Sequence, residues 1–370
     1  MPPPGSQPST PPNPPHHPHD ESGVEWLRGE GAETDVVLSS RVRLARNLTS
    51  FPFANRASSE QRQEILDISR SAVRVAGIAD RTLWLNIHET SPADRALLVE
   101  RHIISKQLQR GRAATVGEDP RGVCVSLPVE RVSIMVNEED HLRLQVVRSG
   151  LALDEAWRQA DGIDDALESA VDYAYSPRLG YLTACATNVG TGLRMSAMLH
   201  LPALKITGDI EKVKKAAGDM CLAVRGFYGE GSEAVGDLYQ ISNQTTLGKT
   251  EAMILADLHE RIIPQVIEYE RLARKTLLTK RSLALHDQVY RSLGLLTSAR
   301  LIAAEEAMQH LSLVRLGICT GLVKHLSSKT VAGLMLLVQP AHLQRTVGRE
   351  LDQDARREAR ATLLRERLSR

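Results

Sequence analysis

The chain has 370 residues, enough for two or three domains and for a core that can hold an enzyme site. Its 46 basic and 45 acidic residues leave a net charge of +1, so no global field points to nucleic acid. The longest uninterrupted apolar run in the C-terminal half, residues 331–338, has eight residues, far short of the ~20 a membrane-crossing helix needs.

Nine of the first twenty residues are proline. That stretch has neither the charged start nor the apolar middle of a secretory signal, and residues 1–23 are expected to form an extended, solvated tail. Its histidines His16, His17 and His19 could bind a metal weakly, although proline-rich tails seldom do anything so specific. Cys124, Cys185, Cys221 and Cys319 are scattered, with no CxxC pair. Reduced thiols in a cytoplasm are the expectation.

Along the chain, residues 34–43 (TDVVLSSRVR) read as a strand. Residues 58–75 read as a helix, with Ser58 or Ser59 as cap and Ile65, Ile68 and Ala72 at helical spacing. Residues 123–127, 132–136 and 142–147 read as strands, which puts NEEDH (137–141) in a hairpin-like connection. Residues 154–173 and 210–224 read as helices. After about residue 250 glycine thins out and long helical patterns take over, at 251–276, 281–293, 298–316 and 352–368, the first kinked by Pro264. The expected organisation is an α+β domain over residues 24–250, with a mostly antiparallel sheet flanked by helices, and a small helical domain over 251–370.

Four stretches could carry chemistry. In NEEDHLR (137–143), Glu138, Glu139, Asp140 and His141 are hard-ligand types, but neighbours on an extended segment point to opposite faces, so at most two could share an ion. A solvated hairpin tip is the competing reading. In SSRVR (39–43), Arg41 and Arg43 project from one face of a strand, and two adjacent guanidiniums are relieved by an anion such as phosphate. A basic edge strand explains the same pattern. In GYLTACATNVGTGLRMSAM (180–198), a glycine-rich loop is followed by Arg194, which reads as the start of a helix with free N–H groups for an anion. Cys185 before it is either a buried structural thiol or a reactive one. In VRGFYGEGSEAVGDLYQIS (224–242), Arg225 and Glu230 bracket a glycine-rich segment that reads as a lid or as an ordinary surface loop.

Taken together, SSRVRLARN, NEEDHLRLQ, GYLTACATNVGTGLR and VRGFYGEGSEAVGDLYQISN resemble the successive active-site blocks of the phosphagen (guanidino) kinase family, in order and with similar spacing. Within that family the chain most resembles the bacterial McsB-type protein-arginine kinases. The resemblance implies ATP contacts at Ser39, Ser40, Arg41, Val42 and Arg43, at His102 and Arg143, at Arg194, Met195, Ser196, Ala197 and Met198, and at Arg225, Gly226, Phe227, Tyr228, Gly229 and Glu230. It implies catalytic roles for Glu139 and Glu230, which would hold a guanidinium, and for Cys185. Mg²⁺ would ride on the ATP phosphates, with no metal ligands from the protein.

The implied activity is transfer of the γ-phosphoryl group of ATP to arginine side chains of proteins, marking them for Clp-type degradation or controlling stress repressors. The implied partners are proteins with exposed arginine, a small zinc-binding activator, a Clp ATPase or protease, and a second copy of the chain. Neither membrane nor nucleic acid is expected. A kinase of a free guanidino metabolite and a non-catalytic phosphoarginine-binding regulator are the competing readings. Two departures stand out. The usual CPTN is CATN here, with Ala186 for proline. The RDxxRA motif of the branch, which forms a phosphoarginine pocket, is matched by Arg356, Arg360 and Ala361, but Arg357 replaces its aspartate.

Overall fold

The structure, a computed structural model, describes residues 23–111, 119–226 and 235–369. Strand β1 (Val37–Arg46) is followed by helix α1 (Ser59–Ala76). Ser58 caps α1 through a reciprocal pair: its hydroxyl accepts from the Gln61 N–H, and the Gln61 side chain accepts from the Ser58 N–H. Such a cap contributes about 1 kcal/mol. Gly77, at φ 59°, ends the helix in the left-handed region.

Then come β2 (Arg81–Asn86), α2 (Pro92–Glu100), α3 (Lys106–Arg110), β3 (Gly122–Leu127), β4 (Val132–Val136), β5 (Leu142–Ser149) and α4 (Leu153–Glu168). A short hairpin, β6 (Tyr175–Ser176) and β7 (Gly180–Tyr181), leads to β8 (Leu193–His200), α5 (Pro202–Thr207), α6 (Ile210–Asp219), β9 (Leu222–Arg225) and β10 (Leu238–Asn243). The helical part has α7 (Glu251–Ala256), α8 (Ile263–Lys280), α9 (Ser282–Ser298), α10 (Ala304–Cys319), α11 (Ser328–Leu337), α12 (Pro340–Val347) and α13 (Gln353–Leu368).

Eight strands form one sheet in the order β2-β3-β4-β5-β1-β8-β10-β9, with every neighbouring pair antiparallel. The α+β expectation holds. Alternation splits the central strands by face. Val42 and Leu44 of β1, and Leu193, Met195, Ala197 and Leu199 of β8, enter a core shared with Ile65 of α1 and Leu153 of α4. Arg41, Arg43 and Arg194 fall on the opposite face.

Three expectations need correction. Arg194 does not open a helix: it is the second residue of β8, a strand in which only Arg194 is not fully buried. Leu193, Met195 and Ala197 alternate with Arg194 and Ser196, which is the period of a strand and not of a helix. The helix expected over 210–224 stops at Asp219, and the rest turns back as edge strand β9. The long helix from residue 251 is divided by a π-helical turn, Asp257–Ile262, with Pro264 placed in the first turn of α8. Proline lacks an N–H and crowds the carbonyl four residues back, and a widened turn accommodates both.

The helices after residue 250 pack directly on the sheet. Ile254, Ile263, Leu277 and Val289 share the core of Val42 and Met195. A second cluster joins Trp26, Leu38 and Leu238 to Leu311, Leu336, Ala361 and Leu364. A buried polar chain makes the same connection. Arg315 Nη1 lies 2.6 Å from His200 Nδ1. A guanidinium can only donate, so Nδ1 accepts and Nε2 carries the proton. Nε2 then donates to Ser312 Oγ at 2.8 Å, and Ser312 donates to Asp237 Oδ2 at 2.6 Å. Burial, helped by Arg315 and Arg274, holds His200 well below the usual histidine range.

Candidate active site

One cavity of about 760 Å³ gathers the predicted arginines. Arg41 and Arg43 reach it from β1, Arg143 from β5, Arg194 from β8 and Arg225 from β9. The register explains the convergence. Arg43 stands directly opposite Arg194 on one side and Gln145 on the other, while Arg143 pairs with Ala45. Like charges placed opposite one another on a sheet repel. Burial, reinforced by Arg143, Arg194 and Arg225, lowers Arg41 to about 10. Arg43 is pushed well below the normal arginine value by burial and by Arg41, Arg143 and Arg194. An anion such as a polyphosphate would relieve this repulsion.

Gly192 is needed to place Arg194. Its φ is 63°, and a Cβ there would lie 2.6 Å from the Ala45 carbonyl oxygen. Arg46 anchors the same loop. It donates to the Thr191 carbonyl at 3.0 Å, pairs with Asp164 at 2.6 Å, and lies 3.5 Å from the centroid of the Tyr181 ring.

Glu138, Glu139 and Cys185 line the same cavity. Burial raises the Glu139 carboxyl, and Asp140 and Glu138 raise it further; Arg143 and a hydrogen bond with Cys185 oppose that. Asp140 sets the spacing. Its Oδ1 accepts from Asn47 Nδ2 and from the backbone N–H of Ala184, both at 2.7 Å. The residue before Cys185 is thereby tied to the residue after Glu139. His141 is buried, accepts from the Leu48 N–H at 3.0 Å and donates to the Pro52 carbonyl at 2.9 Å, with its pKa lowered to about 4 by burial. Asp140 and His141 are thus buried parts of the turn and not a solvated tip.

Two family descriptions match the chain. ATP:guanido phosphotransferase, C-terminal catalytic domain, covers residues 64–273, and Protein-arginine kinase McsB C-terminal domain covers residues 282–370. A protein-arginine kinase of Symbiobacterium thermophilum is 47% identical over 350 residues, 93% of this chain and 96% of that protein. A protein-arginine kinase of Geobacillus stearothermophilus is 46% identical over 345 residues, 93% of each. The chain belongs to the ATP:guanido phosphotransferase family, in its protein-arginine kinase branch. Among solved structures, a lombricine kinase matches with a TM-score of 0.54 and 25% identity, covering 68% of this chain and 70% of that one. The duplicated taurocyamine kinase of Schistosoma mansoni matches with a TM-score of 0.57 and 27% identity, over 64% of this chain and 33% of that one.

Within this guanidino phosphotransferase fold, the remaining predicted residues divide by face. His102 lines the main cavity, edge-on to Trp26 at 5.6 Å, and burial with Arg41 and Lys106 lowers it to about 3. Ser40 points away from the cavity: its hydroxyl donates to the Gly150 carbonyl and accepts from the Ala152 N–H, both at 2.9 Å. Val42, Met195 and Ala197 are core residues, and Met198 joins the second cluster. Ser39 lies opposite Met198, and buried Ser196 lies opposite Arg41 on β1. Gly226 is buried just after β9. Phe227, Tyr228, Gly229 and Glu230 lie outside the described residues.

Sequence reasoning missed Glu138 and Gln240. Both line the cavity. In the solvated-tip reading Glu138 faces water, yet its side chain is only 1% exposed and accepts from Arg143 at 2.6 Å and from Ser105. Gln240 accepts from Arg41 Nη2 at 2.7 Å. It stands opposite Arg225 on β9, a pairing that the sequence alone does not reveal.

Outside the lining of this cavity, α13 carries the variant motif. Arg360 is buried and donates to the carbonyls of Val338, Ile302 and Arg356. Arg356 donates to the Leu351 carbonyl at 2.8 Å, Arg357 pairs with Asp354 at 3.4 Å, and Ala361 is fully buried.

Proposed function

We propose that this chain transfers the γ-phosphoryl group of ATP to the guanidinium of arginine side chains in proteins. One observation carries the reading: five arginines and the Glu139–Cys185 pair line a single cavity. The arginines suit a triphosphate, and the carboxylate beside them suits a guanidinium. Phosphoryl transfer between them is mainly positioning and charge stabilisation.

The acceptor guanidinium arrives protonated, because its pKa exceeds ~12. Glu139 hydrogen-bonds it and aligns one nitrogen with the γ-phosphorus. An N–P bond forms as the bond from phosphorus to the β,γ-bridging oxygen breaks. ADP keeps that electron pair, and the proton on the attacking nitrogen passes to the Glu139 carboxylate. Cys185 adds a third contact to the guanidinium. Glu230 would supply a second carboxylate. Arg41, Arg43, Arg143, Arg194 and Arg225 neutralise charge on the phosphates. Glu138, engaged by Arg143 and Ser105, leaves the divalent cation to the phosphate oxygens, and Mg²⁺ bound there supplies further charge neutralisation.

The 93% overlap with protein-arginine kinases supports a protein acceptor over a free metabolite. On this reading the phosphorylated proteins are directed to a Clp ATPase or protease, a small zinc-binding protein activates the kinase, and two chains pair as a homodimer in the cytoplasm. Among the described residues no helix is long and apolar enough to cross a membrane. The deciding assay supplies Mg-ATP with unfolded casein in one reaction and free arginine in another. Acid-labile label on casein alone supports the proposal. Label on arginine alone points to a metabolite kinase, and no turnover points to a regulator.

A further inference from the structure

A second, smaller cavity of about 230 Å³ adjoins the first. It shares Gln107, Glu138 and Glu139 with the main cavity and is lined also by Ala184, one residue before Cys185. Its wall includes Asn137, the first residue of NEEDHLR. Asn137 is 1% exposed. Its Nδ2 group donates to the Arg62 carbonyl at 2.7 Å and the Pro120 carbonyl at 2.9 Å, which fixes the amide's orientation. Its Oδ1 is buried and, among the described residues, accepts no hydrogen bond. A buried acceptor without a donor is costly, and a donor-bearing ligand would remove that cost.

The neighbouring charges narrow the ligand. Asp119 is engaged by Arg62 at 2.7 Å and by Arg121 at 3.4 Å, and Glu138 by Arg143. Glu139 stands 3.6 Å from Arg143, with 31% of its side chain exposed. The groups ready for a new partner are thus a neutral acceptor and a carboxylate. A guanidinium, planar and rich in N–H donors, suits both. In-line transfer imposes a further demand: with ATP filling the arginine end, the acceptor must approach the γ-phosphorus from the side opposite the departing ADP.

We infer that the small cavity is the channel through which the acceptor arginine of a protein substrate enters, its guanidinium passing Asn137 Oδ1 on the way to Glu139 and Cys185. The inference rests on the proposed function and adds the route and the contacts of the substrate side chain. Asn55 stands on the wall of the small cavity, is exposed, and does not line the main one, so it can be changed without touching the nucleotide end.

The test uses Asn55→Trp, which fills the channel, and Asn55→Lys, which adds a repelling charge. Both are expected to raise KM for unfolded casein at least ~10-fold, with KM for ATP within about twofold of wild type and the melting temperature unchanged. Casein KM within about twofold of wild type in both variants overturns the channel, and so does an equal rise in KM for ATP. Calorimetric titration of ethylguanidine into the ADP-bound protein decides the channel even if wild type labels no protein, which would sink the proposed function alone. Binding weakened at least ~10-fold by Asn55→Trp upholds the channel, and unchanged binding overturns it.

Discussion

Arg143 is held by Glu138, not by Glu139: its Nη1 lies 2.6 Å from Glu138 Oε1, while its Nη2 stays 3.6 Å from Glu139 Oε2. Adjacent carboxylates in one motif thereby take different work. Glu138→Gln keeps the shape but weakens a charge-assisted bond of about 1.5–3 kcal/mol. KM for ATP should rise roughly 10-fold while kcat changes less. Steady-state kinetics with ATP varied will show it, and an unchanged KM would mean that Glu138 does not position Arg143.

Glu139→Gln should behave in the opposite way. Loss of the proton acceptor is expected to cut kcat at least ~100-fold and leave ATP binding nearly intact. Near-normal turnover in this variant would remove Glu139 from the chemistry.

The pH dependence follows from the raised Glu139 carboxyl. The group works as a base only when ionised, so activity should fall as the pH drops through its elevated pKa. The acid limb of kcat/KM is therefore expected above the ordinary glutamate value of about 4.3. A limb at or below that value would contradict the assignment.

The arginine cluster should cost the ligand-free protein stability. Arg41 and Arg43 are both pushed below their normal values, so their charged forms are disfavoured in the folded state at neutral pH. Tripolyphosphate should raise the melting temperature, and more so at low salt. Arg43→Met should raise the melting temperature of the free protein and blunt the response to tripolyphosphate. A thermal-shift series with both proteins checks this, and a lower melting temperature for the free variant would argue against mutual repulsion.

Three buried imidazoles predict acid sensitivity. His102 is lowered to about 3, His141 to about 4, and His200 well below the usual range, in each case first by burial. In the unfolded chain all three titrate near 6.5. Between these values the unfolded chain binds more protons, so the stability is complete above pH ~6.5 and is lost as the pH falls toward the folded-state values. The slope could reach about 4 kcal/mol per pH unit with three protons taken up. Urea unfolding at pH 7 and pH 5 measures it, and equal stabilities would rule out neutral buried rings.

Much of this site was readable as strand alternation. Arg41 and Arg43 are two residues apart, and a strand with that spacing must put both on one face. Arg194 was misplaced because the glycine loop before it was read as a helix start, although Leu193, Met195 and Ala197 alternate with Arg194 and Ser196. α11 was missed because residues 331–338 are a continuous apolar stretch, and a segment buried on all sides shows no period to read. Glu138 was misjudged because exposure was inferred from charge. The turn at Asn137, with φ at 59°, helps set the orientation of the residue after it, and the ion pair with Arg143 that makes burial tolerable is a tertiary fact. Gln240 depended on knowing which strand lay beside β10.

The Arg315–His200–Ser312–Asp237 chain has a consequence for how the molecule comes apart. Its donors and acceptors are each other's partners, and they sit on α10, on β8 and just ahead of β10. Sheet and helices also share the cluster of Met195 and Leu277. Melting the helical half alone would strand a neutral imidazole, leave Asp237 with Lys205 but without Ser312, and bare an apolar sheet face at once. Heating should therefore give a single calorimetric transition whose van't Hoff and measured enthalpies agree. A chain ended at residue 250 should aggregate rather than survive as a smaller kinase.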